Sequence, residues 1–324
     1  MPYLSKNAGF SCLLCQHHEF HSYFKNVRGD GLRNLKIVNC AACGHRQLSE
    51  PVYDLALYEK DLQVYSSIEE CGTPLKKFIE NSWLEAQRRV DRVLADRLLL
   101  QGQQVTPTCL DIGGGYGFFS HLLKQTVAGA QIDMLDPSES RIETGKKLIE
   151  EYDEAPTQVR YIAGLLDNIF AQKHQSTYDL VTLWHVVEHV PEPIRLVADA
   201  WQLLKPGGWL SIEVPNANDE LLELSSAFAN YSYMIEHLSY FLPNMLSKLI
   251  ELGTDRKPDK LYGYQRYGIF NYMHWIHANA PLGTEPDFFP GEDRWWLEKS
   301  WREQRANALT TDALVVNIQK PERG

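Results

Sequence analysis

Apolar residues follow different periods along this chain, and each change of period predicts an element. Between Lys76 and Leu100 they fall at Phe78, Ile79, Trp83, Ala86, Val90, Val93, Leu94 and Leu98, the spacing of one helix face. Beyond residue 104 the pattern becomes short apolar runs closed by turn residues, as in buried strands. Cys109–Ile112 runs into Gly113-Gly-Gly-Tyr-Gly117 and then a helix, and Ile132–Leu135 ends on Asp136. Tyr178-Asp-Leu-Val-Thr-Leu-Trp184 reads as a third buried strand, broken at Pro191. Leu203–Asn216 reads as a helix end, a Pro-Gly-Gly turn and a strand stopped by Pro215. Strands alternating with helices in this order predict an α/β fold.

The glycine-rich turn carries the chemistry. Gly113, Gly115 and Gly117 let backbone approach a ligand closely. Asp136 lies 19 residues past Gly117, where a carboxylate accepts hydrogen bonds from ribose hydroxyls. The dinucleotide fingerprint would need Gly or Ala at 118, but Phe118 stands there. Asp111, two residues before the first glycine, would repel a pyrophosphate and suits an ammonium group. This segment resembles the first motif of class I S-adenosylmethionine-dependent methyltransferases, and the runs at 178–190 and 203–216 resemble later motifs in the same order. The resemblance covers about residues 105 to 217. It implies a Rossmann-like sheet with helices on both faces. It also implies two strands at one sheet edge, for which Asp312–Gln319 and Tyr262–Phe270 are candidates. S-adenosylmethionine would then lie outside the carboxyl ends of the strands. Asp111 to Gly117 would face its amino-acid part, and Asp136, Pro137 and Ser138 its ribose. The turn at Gly164 and Leu165, with Asp167 nearby, would face adenine, and Trp184 and His185 would close the fourth side.

Four of six cysteines form two pairs, Cys12-Leu-Leu-Cys15 and Cys40-Ala-Ala-Cys43, separated by 24 residues. Such knuckles present four thiolates tetrahedrally, so Cys12, Cys15, Cys40 and Cys43 are expected to hold a structural Zn2+. A disulfide framework would suit a secreted chain, and no secretion signal is read here. His17, His18 and His45 lie close enough in sequence to substitute as ligands. Cys71 and Cys109 read as packed thiols.

His185-Val-Val-Glu-His189 matches an inverted zinc-protease pattern, but follows an apolar strand instead of lying on a helix. Glu188 and His189 read instead as a pair fixing a pocket wall, with His189 a candidate for acceptor contact. A second pair, Glu236-His237, lies in the region after the fifth strand. There His237 is the candidate base and Glu236 the group that orients an imidazole, against the plainer reading of a loop histidine. Ribbon, core and Glu236-His-Leu-Ser-Tyr-Phe241 together resemble the C-methyltransferases of deoxysugar biosynthesis, which carry Tyr-x-Glu-His. Here Met234 occupies the tyrosine's place, Tyr233 is one residue off, and the family's further α/β domain exceeds this length.

A formal net charge of −10 disfavours a nucleic-acid substrate, though local basic patches are compatible with it. No apolar run approaches the ~18 residues of a membrane span, and a cytoplasmic location is expected. The expected organisation is a zinc ribbon at 1–50, a helical segment at 51–104, the cofactor-binding core at 105–217 and an acceptor-binding region with the final strands at 218–324. Tyr58 and Tyr65 read as helix-packing residues that could reach toward the cofactor. Aromatics at Tyr262–Tyr267, Asn271–Trp275 and Arg294–Trp296 suit sugar stacking or a packed lid. The expected acceptor is a sugar or nucleotide-sugar. The alternatives are another small molecule methylated on oxygen, such as a quinone or natural product, a non-catalytic cofactor-binding module, or RNA modification.

Overall fold

The computed structural model describes residues 10–29, 34–51, 75–99, 106–153, 158–282 and 295–322. Tyr58, Tyr65, Cys71, Arg294 and, within the expected 51–104 helical segment, residues 52–74 and 100–104 lie outside the described residues. Among those described, the strands are β1 (Phe20–Phe24), β2 (Ile37–Cys40), β3 (Arg46–Leu48), β4 (Thr108–Ile112), β5 (Gln131–Asp136), β6 (Arg160–Ala163), β7 (Tyr178–Trp184), β8 (Leu204–Pro215), β9 (Ser239–Tyr240), β10 (Lys260–Tyr264) and β11 (Ala313–Gln319). The helices are α1 (Leu75–Ala95), α2 (Phe118–Thr126), α3 (Glu139–Tyr152), α4 (Asn168–Lys173), α5 (Pro193–Leu203), α6 (Leu221–Leu224), α7 (Ser226–Ser232), α8 (Pro243–Thr254), α9 (Ile269–Ala278) and α10 (Trp295–Ala308).

A seven-stranded sheet runs in the order β10-β11-β8-β7-β4-β5-β6, and a separate four-stranded sheet in the order β1-β2-β3-β9. β4 pairs in parallel with β5 on one side and β7 on the other. The chain direction across the sheet therefore reverses beside β4, the switch point where open α/β sheets bind ligands. The strand order and flanking helices are those of a Rossmann-like α/β fold.

The chain divides into two compact units. One holds Asp54–Val186, Ala198–Ile212 and Ile318–Gly324, and is called the core unit here. The other holds Met1–Tyr53, Val187–Val197 and Glu213–Asn317, and is called the ribbon unit.

In the core unit, α1 buries Ile79, Ala86, Val90 and Val93, a stripe at helical spacing. Each of the larger three stabilises the fold by about 1.5–3 kcal/mol on burial. The stripe belongs to one apolar cluster with Phe118, Phe119, Leu123 and Trp184, and Trp83 meets the Phe118 ring edge-on at 5.1 Å. The helix closes earlier than its apolar pattern suggests. Arg97 turns left-handed (φ 52°), and the Leu98 N–H reaches back to the Val93 carbonyl at 3.0 Å. This is a Schellman-type end that still keeps Leu98 in the core.

In the ribbon unit, Val27, Leu35, Ile37 and Leu48 pack with Tyr233, Ile235, Leu238 and Tyr240. The antiparallel edge holds here too, with Leu261 opposite Val316, but the strand is β10, not Tyr262–Phe270. Gln265 turns the chain by donating to the Tyr267 carbonyl at 3.0 Å, and Gly268 then caps α9. The Pro206-Gly-Gly208 segment likewise lies inside β8, not in a turn before it. Backbone bonds from Gly207 to Lys320 and from Lys320 to Gly208 hold it in the sheet.

Candidate active site

The glycine-rich turn occupies the switch point. Gly113 closes β4 by donating to the Leu135 carbonyl at 2.7 Å, and Gly117 caps α2. A cavity of about 360 Å³ opens there. Asp111, Gly113, Gly115, Gly117 and Trp184 all line it, and α1 contributes Ser82, Glu85 and Arg89 among others. The volume falls within the range of small-molecule and cofactor sites, roughly 300–1,000 Å³.

Asp111 is buried in the wall. Register places it opposite Thr182 of β7, whose hydroxyl donates to Oδ1 at 2.9 Å, while Ser120 of α2 donates to Oδ2 at 2.8 Å. Burial pushes its carboxyl up to about 6, and the two hydroxyls and the Arg89 charge oppose that shift. A bound ammonium would supply the counter-charge that burial has removed.

Asp136 ends β5 and is used twice by the backbone. Gly115 N–H donates to Oδ2 at 2.8 Å and Ser138 N–H to Oδ1 at 2.9 Å, so one carboxylate ties the glycine turn to the start of α3. Burial raises it above the usual carboxylate range, against those two N–H donors. Pro137 precedes Ser138, whose hydroxyl caps α3 by accepting from Arg141 N–H at 3.2 Å. Leu165 is largely exposed in the turn after β6. Asp167 caps α4 by accepting from Phe170 N–H at 2.8 Å. His185 ends β7 in the left-handed region at φ 56°, which non-glycine residues rarely adopt.

Two contributors, Arg89 and Gly145, escaped the sequence reading, whereas Trp184 was named there. Arg89 Nε and Trp184 Nε1 are buried donors without a hydrogen-bond partner among the described residues, and both residues line the cavity. Donors left in this way suit an anionic or carbonyl acceptor. The available signal was a polar stripe at Ser82, Glu85 and Arg89, beside the apolar stripe of α1. The other is Gly145 in α3, where a Cβ would lie 2.0 Å from the Tyr116 carbonyl oxygen. Only glycine lets α3 approach the cradle so closely. Orphaned donors, a buried carboxyl and a backbone cradle together fit S-adenosylmethionine.

The ribbon unit holds two further clusters. Ligand atoms of Cys12, Cys15, Cys40 and Cys43 all lie within 4.8 Å of one another, with Cys12–Cys43 and Cys15–Cys40 sulfurs 3.6 and 3.5 Å apart. That is far beyond a disulfide bond of about 2.05 Å and near the edge of a tetrahedron with metal–sulfur bonds of about 2.3 Å. Burial tends to raise the Cys40 thiol, but backbone N–H groups of Cys43 and Ala42, together with the Cys15 and Cys43 thiols, outweigh it and bring the thiol to about 7. The donor set fits structural zinc. The neighbouring histidines bond elsewhere: His18 Nδ1 lies 3.1 Å from the Phe10 carbonyl and His45 Nε2 3.2 Å from the Ser239 hydroxyl. Burial drives His45 down to about 3. Cys109 is the packed thiol expected.

The second cluster unites the two Glu-His pairs. Ligand atoms of Glu188, His189 and His237 lie within 4.8 Å of one another, and the two imidazole rings meet edge-on at 4.7 Å. Val187–His189 is a single 3₁₀ turn, not a protease helix. His189 Nδ1 lies 2.9 Å from the Glu236 backbone carbonyl. A carbonyl only accepts, so Nδ1 carries the proton, leaving the Nε2 lone pair 3.9 Å from Glu188 Oε1. Glu236 thus meets the His189 imidazole through its backbone carbonyl, and Glu188 brings a carboxylate into the cluster. Two imidazoles and a carboxylate so placed have the lone pairs either to take up a proton or to hold a divalent cation.

No helix among the described residues is long and apolar enough to cross a membrane. A family model described as a methyltransferase domain matches residues 84–252. The ubiquinone biosynthesis O-methyltransferase of Leptothrix cholodnii is 33% identical over 180 residues, 53% of this chain and 73% of that protein. Its counterpart in Coxiella burnetii is 26% identical over 174 residues, 52% of this chain and 70% of that protein. Among solved structures, a SAM-dependent methyltransferase from Archaeoglobus fulgidus superposes with a TM-score of 0.45 at 16% identity, covering 72% of this chain and 94% of that one. With a family match over more than half its length and the cradle just described, the chain belongs to the class I S-adenosylmethionine-dependent methyltransferases.

Proposed function

We propose that the chain methylates an oxygen of a small hydroxylated acceptor of the quinol type, with the His189/His237 pair taking the hydroxyl proton. The observation that carries this reading is the 33% identity to a ubiquinone biosynthesis O-methyltransferase, extending over 73% of that relative. It favours the quinone alternative over the sugar or nucleotide-sugar acceptor, which rests on the Glu236-His237 pair and the ribbon alone. Base-assisted C-methylation of a keto sugar is the second reading, favoured by the two imidazoles that the fold brings together.

When bound, S-adenosylmethionine supplies an electrophilic sulfonium methyl. In this reading Asp111 receives its ammonium, Arg89 its carboxylate, and Asp136 its ribose hydroxyls. The acceptor hydroxyl is a poor nucleophile until its proton leaves. His189, with Nδ1 held by the Glu236 carbonyl, presents Nε2 as the lone pair for that proton, and Glu188 stabilises the imidazolium that forms. His237, edge-on to His189, is the partner base.

The test supplies S-adenosylmethionine with a catechol-type quinol or with a nucleotide-linked keto sugar and identifies the product by mass. The quinol should gain one methyl on oxygen. His189→Ala and His237→Ala should each lower turnover by about 10²-fold or more while S-adenosylhomocysteine affinity stays within about twofold. Turnover of the sugar alone, or full activity of both variants, would overturn the reading.

A further inference from the structure

An unbroken series of hydrogen bonds inside the ribbon unit joins the four-cysteine site to the Glu188/His189/His237 cluster. The Cys40–Cys43 knuckle closes with Gly44 N–H on the Cys40 carbonyl at 2.9 Å and Cys40 N–H on the His45 carbonyl at 2.8 Å. β3 follows at once and pairs antiparallel with β9, Arg46 opposite Tyr240 and Gln47 opposite Ser239. Leu48 N–H then donates to the Leu238 carbonyl at 3.1 Å, and Leu238 N–H to the Glu188 carbonyl at 2.8 Å. Leu238 is the residue after His237.

Two buried side chains clasp the knuckles to this ladder. Gln47 binds the first: its Oε1 accepts from Leu13 N–H at 2.9 Å and its Nε2 donates to the Ser11 carbonyl at 3.3 Å. His45 binds β9 from the second, through the Ser239 hydroxyl at 3.2 Å. β3 is three residues long and β9 two, too short to hold register by themselves. A small ribbon depends on its metal for folding energy.

We propose that the ribbon is a positioning device for the histidine pair. A metal on Cys12, Cys15, Cys40 and Cys43 fixes both knuckles. Gln47 and His45 pass that order to β9, and the β3–β9 register sets where His237 stands beside Glu188 and His189. The proposal rests on the reading of that cluster as the proton acceptor. Gln47 and Ser239 are its positioning residues and touch no substrate.

The experiment follows amide hydrogen exchange by mass spectrometry in the full-length, zinc-loaded protein, before and after removal of the metal with a chelator. Exchange across 45–48 and 236–241 should accelerate about tenfold or more, while 108–136 is unchanged and S-adenosylhomocysteine affinity stays within about twofold. Added zinc should restore protection. Unchanged protection at 236–241 without metal overturns the proposal. A second arm keeps the metal. Ser239→Ala should retain zinc yet lower kcat several-fold with KM for the cofactor unmoved, and Ser239→Thr, which keeps the hydroxyl, should rescue it. Normal kcat and normal exchange in Ser239→Ala would also sink the idea. If instead His237→Ala and His189→Ala are fully active, the base reading fails, whereas the exchange response to metal stands or falls separately.

Discussion

Replacing Gly145 with alanine separates two effects that ordinarily act together. In an exposed helix the change stabilises by about 1 kcal/mol, because alanine loses less backbone freedom. In α3 the new Cβ would lie 2.0 Å from the Tyr116 oxygen and 2.6 Å from its carbonyl carbon. Real Cβ atoms essentially never come within 3.0 Å, so helix and cradle must separate by about 1 Å. Overpacking of that kind costs about 1–3 kcal/mol, which cancels or exceeds the helical gain. The movement falls on Tyr116 and its neighbours, which line the cavity. Gly145→Ala should therefore unfold at the same or slightly lower temperature, yet bind S-adenosylhomocysteine about tenfold or more weakly, about 1.4 kcal/mol or more. Thermal melts and calorimetric titration read the two quantities. Gly253→Ala serves as control, since its Cβ would meet Val197 Cγ1 at 2.6 Å and Gly253 does not line the cavity. It should lose stability with affinity intact. A Gly145→Ala protein that is more stable and binds normally would refute this account of the cradle.

Because burial raises Asp111 to about 6, its neutral form stabilises the ligand-free protein at low pH, and that stability is lost as pH rises through 6. A bound ammonium favours the carboxylate, so S-adenosylhomocysteine affinity should climb about tenfold from about pH 5 to pH 7.5. In Asp111→Asn the slope should vanish, and a persisting slope would clear Asp111 of that role. Arg89→Met should weaken the same ligand by about 10–100-fold with little change in melting temperature, and unaltered affinity would remove the guanidinium from the site. Metal analysis of protein purified without chelator should find about one zinc per chain, lost in Cys15→Ser; its absence in the parent chain would exclude the ribbon metal. Arg305 is buried between Asp219 and Glu220, so Arg305→Leu should destabilise the fold by about 3–5 kcal/mol at neutral pH. Burial already lifts Asp219 to about 7, so the penalty should shrink in acid as that carboxyl takes up a proton, and a pH-independent penalty would count against the ion pair.

The sequence by itself determined whatever depends on neighbours along the chain. Apolar runs punctuated by glycine, proline and acids placed β4, β5 and β7, the glycine turn and Asp136, because strand burial and turn geometry act over a few residues. Two Cys-x-x-Cys knuckles likewise marked the metal site, since each knuckle is a local turn. Boundaries were less legible. β10 stops at Tyr264 because a glutamine side chain turns the chain there, and α1 ends at a left-handed arginine that no periodicity announces.

Only the tertiary structure decided which distant residues meet. Gly145 shows no local need for glycine; the need arises from the Tyr116 carbonyl, 29 residues earlier in the chain. Glu188-His189 and Glu236-His237 read as two separate pairs. The fold makes one cluster of Glu188, His189 and His237, and the Glu236 backbone carbonyl joins it at His189. Likewise, β9 is two residues long and carries no strand signal, yet it extends the ribbon sheet, because β3 offers it unpaired backbone groups that burial requires to be bonded. Periodicity and turn chemistry report the local forces on a segment, whereas long-range hydrogen bonding and close packing depend on how the whole chain folds back on itself.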